Sequence, residues 1–529
     1  MKINDYIYSL LKDQRTVLLN AYPGFGKSRM AIDIVRRWIK DGGEVLVVTR
    51  SRAEALQLCE FAVNEGIRDR VSLFLGRELL CPFNAKDSKQ CFVNRLSGLC
   101  RVQKVNSSKQ FLVCNPLELF NEGLCPYEVN EALAYQLPVV IATHANLSSP
   151  ELYSRLIDII NNWSKPLVII DEFHNVAAGL EVSVPISIDE LIQWALRGNE
   201  IARRVLSRIK DIMPEREIIV LRKFNIDELL AGSSAFSDKV VEMLMHYGND
   251  ICVFTYDGKL VRLRCLSLSP IRDLLMRVHS ALLLTASMSR RFSSIANATV
   301  KSVHYMEIES IPREYQDNLT VILIRNLEFT FRNRLMRNYL NVVNRGIKTF
   351  IESAPPVGGL AIFFPSIDYM NTYLSNYSPP IWGVPTFILD NTKITELIAA
   401  FKESARSAKS VLITYAYNPI SEGINFLDQE LIGIMIVGLP LPQYSQWGFV
   451  KAHYYSRMGI SGFATAFLFP AISTTIQVVG RLLRSLERHK KVAVLFDDRY
   501  YRYRRYMPKW LLLSMEIMSF SQFLKWSWP

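Results

Sequence analysis

Short, unbroken runs of aliphatic and β-branched residues recur along this chain, each followed by turn residues or a stretch of helical period, and they limit the possible folds severely. One series is Val17–Asn20, Val45–Thr49, Val139–Thr143, Leu167–Ile170 and Leu282–Thr285. A second is Ala361–Phe364, Val411–Thr414, Ile434–Val437 and Val492–Phe496. A strand that is apolar at every position is covered on both faces, as inside a parallel sheet flanked by helices. The break between the series, near residues 290–315, predicts two α/β domains in tandem. With 529 residues, 49% of them hydrophobic, the chain can fill three or four domains with substantial cores.

Two stretches interrupt the first series. Residues 76–135 hold a concentration of cysteines. Residues 181–250 read as helical: Ser187 with Glu190 forms a capping box, and Asn225 with Glu228 marks another helix start. Next, Ile251–Tyr256 and Lys259–Leu266 flank Asp257-Gly258, a hairpin signal. The boundaries that follow are 1–75, 136–180 and 251–300 for the first α/β domain and 301–529 for the second.

The segment Ala21-Tyr22-Pro23-Gly24-Phe25-Gly26-Lys27-Ser28 leaves a strand and opens a helix. Small residues there let backbone N–H groups surround phosphates at the positive end of the helix. Lys27 would reach the β- and γ-phosphates of ATP, and Ser28 would hold Mg²⁺. The first position is alanine where the usual pattern has glycine. Downstream, Leu167–Ile170 runs into Asp171-Glu172-Phe173-His174. A carboxylate at the end of a buried strand can hold the Mg²⁺ shell, and the next can orient and deprotonate a water. Acidic residues at strand ends also cap helices, but the phosphate loop upstream favours the catalytic reading.

The formal charge of +12 suits a polyanionic partner, nucleic acid or an anionic surface. The longest apolar stretches, such as Leu431–Leu439, are strand-sized, so no membrane partner is expected. The tail Trp510–Trp528 reads as a packed amphipathic helix. Without a signal-peptide pattern, a cytoplasmic chain with free or metal-bound cysteines is expected. Arg499–Tyr506 alternates bases with tyrosines, which suits either phosphate pairing and base stacking or a helix with tyrosines inward and arginines solvated.

The order of these stations resembles the XPD-like iron–sulfur helicases of superfamily 2. Asp171-Glu172-Phe173-His174 resembles motif II, and Val48-Thr49-Arg50-Ser51-Arg52 resembles motif Ia, which contacts the DNA backbone. Thr285-Ala286-Ser287-Met288 sits where motif III couples hydrolysis to movement. Phe363-Phe364-Pro365-Ser366 resembles motif IV and Ser421-Glu422-Gly423-Ile424-Asn425 motif V, which places Gly423 at the nucleotide. Gln477-Val478-Val479-Gly480-Arg481-Leu482-Leu483-Arg484 resembles motif VI. The resemblance implies two RecA-like motor domains, with His174, Gln477, Arg481 and Arg484 completing a site built on Lys27, Asp171 and Glu172. It also implies that Arg481 and Arg484 face the γ-phosphate across the interdomain cleft.

Five of the eight cysteines, Cys81, Cys91, Cys100, Cys114 and Cys125, crowd into residues 81–125, a window between motifs Ia and II, where this family carries a [4Fe–4S] domain. By resemblance Cys81 and Cys125 are the outer ligands and Cys91 and Cys100 the middle pair, with Cys114 as a competitor. Zinc is the alternative metal, but the close cysteine pairs of structural zinc sites do not occur here, and iron–sulfur clusters accept wider spacing. The insertion at 181–250 corresponds to the family's arch. Gln14 stands too close to the loop to read adenine, which leaves the nucleotide base open.

The implied activity is an ATP-dependent, 5′→3′ DNA helicase that works as a monomer on single-stranded and forked DNA, with repair-complex partners. Two rivals are a translocase that tracks single strands without separating duplexes and a non-hydrolysing DNA-binding subunit.

Overall fold

The computed structural model describes residues 3–85, 88–100, 102, 114–210, 218–221, 251–256, 258, 260–300, 302–379, 383–389, 394–418, 426–484 and 489–529. Every run named above as a strand is a strand. In the first α/β domain these are β1 (Thr16–Asn20), β2 (Glu44–Thr49), β3 (Val71–Leu73), β4 (Val139–Thr143) and β5 (Pro166–Ile170). The chain then builds β6 (Leu180–Ile186), β7 (Ile218–Leu221), β8 (Ile251–Tyr256) and β9 (Val261–Ser267), and returns with β10 (Ser280–Thr285) and β11 (Val303–Glu307). The first sheet has the order β11-β1-β10-β5-β2-β4-β3, with every pairing parallel. Its two faces are buried separately. Val17 and Leu19 pack with Ile34 and Trp38 of the helix Lys27–Lys40, whereas Leu18 lies in the core that holds Phe173 and Met288.

The second domain holds β12 (Leu319–Arg325), β13 (Gly358–Phe364), β14 (Thr386–Ile388), β15 (Lys409–Tyr415), β16 (Gly433–Val437), β17 (Lys491–Phe496) and β18 (Met515–Ser519). Their order is β14-β15-β13-β16-β17-β12-β18, again wholly parallel.

The structure departs from expectation at four places. The hairpin β8–β9 joins β6 and β7 in an antiparallel sheet of order β6-β9-β8-β7, not the first parallel sheet. The second insertion is therefore a sheet with helices, Ile188–Leu196 and Glu200–Lys210 among them, and reaches through Ser267. The capping box of Ser187 and Glu190 is present, and the start at Asn225–Glu228 lies outside the described residues. Second, β11 pairs with β1, so the first domain extends past residue 300. Third, the tail is not one helix. Lys509–Leu513 is helical, then β18 adds to the sheet edge beside β12, with Trp510 and Phe523 buried on either side. Fourth, Ala464–Leu483 is long and apolar enough to cross a membrane, but that segment is 89% buried within the protein. It is a core helix.

Candidate nucleotide site at the interdomain cleft

Gly24 and Gly26 both have φ of +89°, a left-handed backbone that glycine adopts without strain, and they bend the loop around the start of the helix Lys27–Lys40. Lys27 Nζ donates to the carbonyls of Ala21 (3.2 Å) and Tyr22 (3.5 Å), so its ammonium is folded over the loop. Pro23 is buried, and Ser28 is exposed at the first turn.

The second domain presses on this loop. A Cβ on Gly24 would stand 3.0 Å from the Leu483 carbonyl oxygen, and one on Gly480 would stand 2.2 Å from Pro23 Cγ. Glycine on both sides of the cleft permits this approach. Arg481, in the turn Gly480–Arg484, is buried at the same junction. Arg484 shares that turn, but its side chain lies outside the described residues, as does the whole of Ser421–Asn425 with Gly423.

At the end of β5, Asp171 N–H donates to Val48 O (2.9 Å), which extends the ladder by one residue, and Asp171 Oδ1 accepts the Glu172 N–H (2.9 Å). Glu172 has φ of +47°, uncommon for a residue with a side chain. This turn directs the chain off the sheet, and His174 follows into the core. His174 Nδ1 lies 3.2 Å from Glu172 Oε2 and 3.3 Å from Thr285 Oγ1, and its Nε2 is 2.9 Å from Gln477 Nε2. The Gln477 amide can only donate through that nitrogen, so His174 Nε2 accepts and Nδ1–H faces Glu172 and Thr285. Thr285 Oγ1 also accepts the Ser287 N–H (3.2 Å). Four expected stations, motifs II, III and VI and the phosphate loop, therefore converge.

The charges are arranged unequally. Desolvation and the adjacent Glu172 raise the Asp171 carboxyl well above the ordinary carboxylate range, with Lys27 opposing. Burial also works to raise Glu172, but His174, Lys27 and Arg50 outweigh it and hold that carboxyl down. The two carboxyls are thus driven apart, Glu172 towards its ionised form and Asp171 towards needing a compensating cation such as magnesium. Ser28 and Asp171 are the residues that would hold that ion.

Two neighbours escaped the sequence reading. His144 Nε2 bonds to Asp171 O (2.9 Å), and burial pushes this histidine down to about 4. Its signal is that His144 directly follows the buried strand β4 as Asp171 follows β5, the two strands lying parallel on either side of β2. Glu54 accepts the N–H groups of Arg50 and Ser51, and burial and Glu172 raise its carboxyl. Beside these groups a cavity of about 560 Å³ opens between the domains, with Arg50, His144, His174, Tyr417, Ser473 and Gln477 among its lining residues.

The cysteines sort themselves. Cys114 is bonded to Cys59 and Cys252 to Cys265, so the expectation of only free or metal-bound cysteines is corrected. Cys81, Cys91, Cys100 and Cys125 remain as thiols. Arg77 Nη1 donates to Cys91 Sγ (3.5 Å) and its guanidinium lies 4.0 Å above the Tyr127 ring. Arg95 pairs with Glu128 at 2.7 Å. Burial raises the Cys125 thiol. Among the described residues no group of three or more His, Cys, Asp or Glu side chains is set around a metal position.

The basic–aromatic segment is packed inward only in part: Tyr500 is buried and Arg502, Arg504 and Arg505 are exposed, but Arg499 turns inward where solvated arginines were expected. Arg499 pairs with buried Asp497 at 2.8 Å, and Tyr500 is fully buried. Tyr501 lies under Arg325 (3.7 Å) and Arg504 (3.9 Å).

The Helicase C-terminal domain family matches residues 347–512. The ATP-dependent DNA helicase CHL1 of Debaryomyces hansenii is 29% identical over 147 residues, 24% of this chain and 17% of the relative. The general transcription and DNA repair factor IIH helicase subunit XPD/RAD3 of Saccharomyces cerevisiae is 28% identical over 196 residues, 35% of this chain and 24% of the relative. The matched stretches thus span at most about a quarter of these relatives' length. A solved XPD helicase superposes with a TM-score of 0.67 at 16% identity, covering 98% of both chains. The Xpd4 structure of S. tokodaii superposes at 0.61 with 14% identity, also covering 98% of both. This chain thus has the fold of the XPD helicases and, over residues 347–512, resembles the Helicase C-terminal domain in sequence.

Proposed function

We propose that the chain is an ATP-driven motor that moves along single-stranded DNA in the 5′→3′ direction and separates duplex DNA ahead of it. The observation that carries this reading is the packing of Gly480–Leu483 from the second domain against the loop Pro23–Gly24, with Gln477 bonded to His174 across the same cleft. A nucleotide held by Lys27 and the loop N–H groups would lie where both domains meet. Glu172 orients and deprotonates the attacking water, and Arg481 supplies charge as the transition state spreads negative charge over the phosphoryl oxygens. Arg484 and Gly423 belong to the same proposed site. Binding then closes the cleft, and release of products opens it. DNA lies along the cavity beside Arg50, whose backbone is fixed by Glu54.

Cys81, Cys91, Cys100 and Cys125 would hold a [4Fe–4S] cluster. The donor set fits in kind, four thiols outside the two disulfides, and the cluster would serve as a structural staple for the first insertion. Monomeric action in the cytoplasm, on forked DNA and within repair assemblies, belongs to the same proposal.

The test measures ATP turnover with and without single-stranded DNA, and strand separation on 5′-tailed and 3′-tailed substrates, in one preparation. DNA-stimulated turnover with separation of the 5′-tailed substrate alone is expected. Turnover without separation of either substrate would favour a strand-tracking translocase, and no turnover would remove the motor reading altogether.

A further inference from the structure

The helix Gln446–Arg457 of the second domain presents Trp447, Lys451 and Tyr455 at intervals of four, hence on one face. That face does not meet the first parallel sheet. It meets the base of the second insertion, the arch. The Trp447 indole N–H donates to Glu181 Oε1 (2.5 Å), Lys451 Nζ donates to Glu181 Oε2 (2.9 Å), and the Tyr455 hydroxyl donates to Ala178 O (2.6 Å). Around these bonds Val253 and Leu266 of the arch hairpin share a buried cluster with Trp447, Tyr455, Ala466 and Phe467. Both ends of the arch are gripped here. Gly179 has φ of +102°, and a Cβ on it would stand 3.0 Å from Ser267 O, where the insertion leaves.

The opposite connection of this helix leads to the nucleotide. A Cβ on Gly448 would stand 2.8 Å from the Phe467 ring, so the helix lies flat on the segment Ala464–Leu468. That segment continues into the helix Phe469–Val479, which carries Gln477, and then into the turn with Arg481. On the first-domain side, Ala178 is four residues from His174, the partner of Gln477.

We propose that the two packed helices form one lever that passes nucleotide-dependent closing of the cleft to the arch, with Glu181 as the positioning residue that fastens the arch to it. When the second domain shifts against the phosphate loop, its contact with the arch base must shift with it, because close-packed side chains do not deform continuously. The cleft and the arch then change state together. This inference rests on the motor reading above.

Three variants test it: Glu181→Ala, Trp447→Phe, which removes one N–H and keeps an aromatic ring, and Glu181→Gln, which keeps an acceptor for the indole. Each is assayed for DNA-stimulated ATP turnover, strand separation per ATP, and backbone hydrogen exchange at residues 180–186 and 251–256, with and without a non-hydrolysable ATP analogue. In the parent the analogue changes exchange at both arch segments. Glu181→Ala and Trp447→Phe keep turnover within about twofold and lose about fivefold in separation per ATP, the scale of one ordinary net hydrogen bond. Their arch exchange no longer responds to the analogue, and Glu181→Gln lies between. A parent whose arch exchange ignores the analogue, or variants that respond and unwind like the parent, would overturn the lever. A parent that neither hydrolyses ATP nor separates strands overturns the motor instead, and the exchange response still decides the coupling.

Discussion

In the proposed motor Lys27 and Glu172 divide the labour of the cleft, and their variants should fail differently. Lys27→Ala removes the cation folded over the loop carbonyls, so ATP affinity and turnover should both collapse. Glu172→Gln keeps the side chain's size and should retain nucleotide binding while turnover falls roughly 10²–10⁴-fold, the usual worth of a positioned base. Equal turnover in parent and both variants would contradict the assignment. The left-handed φ of Glu172 adds to this case, since such a conformation costs on the order of 1–3 kcal/mol and persists where the surroundings enforce it. Lys491 offers a second test far from the cleft. Its ammonium is buried and bonded to Leu431 O at 2.9 Å, and burial pushes it down to about 8 against partial support from Asp428. The unfolded chain therefore binds more protons between about pH 8 and pH 10.4, so this residue's contribution to stability is poorest below pH 8 and improves as pH rises through that window. Thermal unfolding of parent and Lys491→Met at pH 7 and pH 9.5 should show the parent gaining on the variant at the higher pH. A difference between the two that does not change with pH would refute the buried-charge account.

Among the elements, the two parallel sheets were legible because their central strands, such as β4, β5 and β10, are buried at every position. The edges were not. β11 has the sequence Val-His-Tyr-Met-Glu with every residue half-buried, and β18 is half exposed, so neither carries an unbroken apolar run. For that reason the tail reads as a helix in the sequence, because an edge strand between two short helices has the same mixed composition as an amphipathic helix. The antiparallel arch sheet was missed because its register pairs β6 with β9, residues 180–186 with 261–267, a contact that no local pattern announces. Likewise, the phosphate loop and Asp171–His174 were legible locally, while His144 depends on strand neighbours distant in sequence. The cysteines make the same distinction. Clustering pointed to a metal domain, but only folding brings Cys59 to Cys114, 55 residues away. The protein purified without oxygen should carry about four irons per chain, the stoichiometry of a [4Fe–4S] centre. Cys114→Ser should keep that iron and lower thermal stability, since closing a loop of this length contributes about 4 kcal/mol in the chain-entropy treatment. Cys125→Ser and Cys100→Ser should lose the iron. Iron retained in Cys100→Ser and lost in Cys114→Ser would reverse the assignment of these two residues.

On the scale of the whole molecule, the proposed function depends on two domains meeting closely enough for one to complete the other's site. The first sheet supplies Lys27, Asp171 and Glu172 from the C-terminal ends of parallel strands, where ligands of open α/β sheets bind. The second sheet supplies Arg481 through a helix that is itself core, so the arginine cannot move without its domain. Gly480 is the point at which this meeting can be prevented without touching a charged residue. Any side chain there must occupy the space of Pro23, because a Cβ would lie 2.2 Å from its Cγ and 2.6 Å from its Cβ. The helix conformation at Gly480, φ −60° and ψ −14°, is open to alanine and valine, so the backbone itself need not change. Gly480→Val should therefore leave both domains folded and hold the cleft open. Nucleotide binding, which rests on the first domain's loop, should survive within a few-fold. Turnover should fall by roughly 10²–10³, the loss that follows when one preorganised charge partner no longer reaches the transition state, and added DNA should not restore it. Gly480→Ala, with the smaller intrusion, should fall between parent and valine. If both variants bound and hydrolysed ATP at the parent rate with DNA present, closure at the Pro23–Gly480 contact would not be part of the cycle, and Arg481 would have to act from a different arrangement of the two domains.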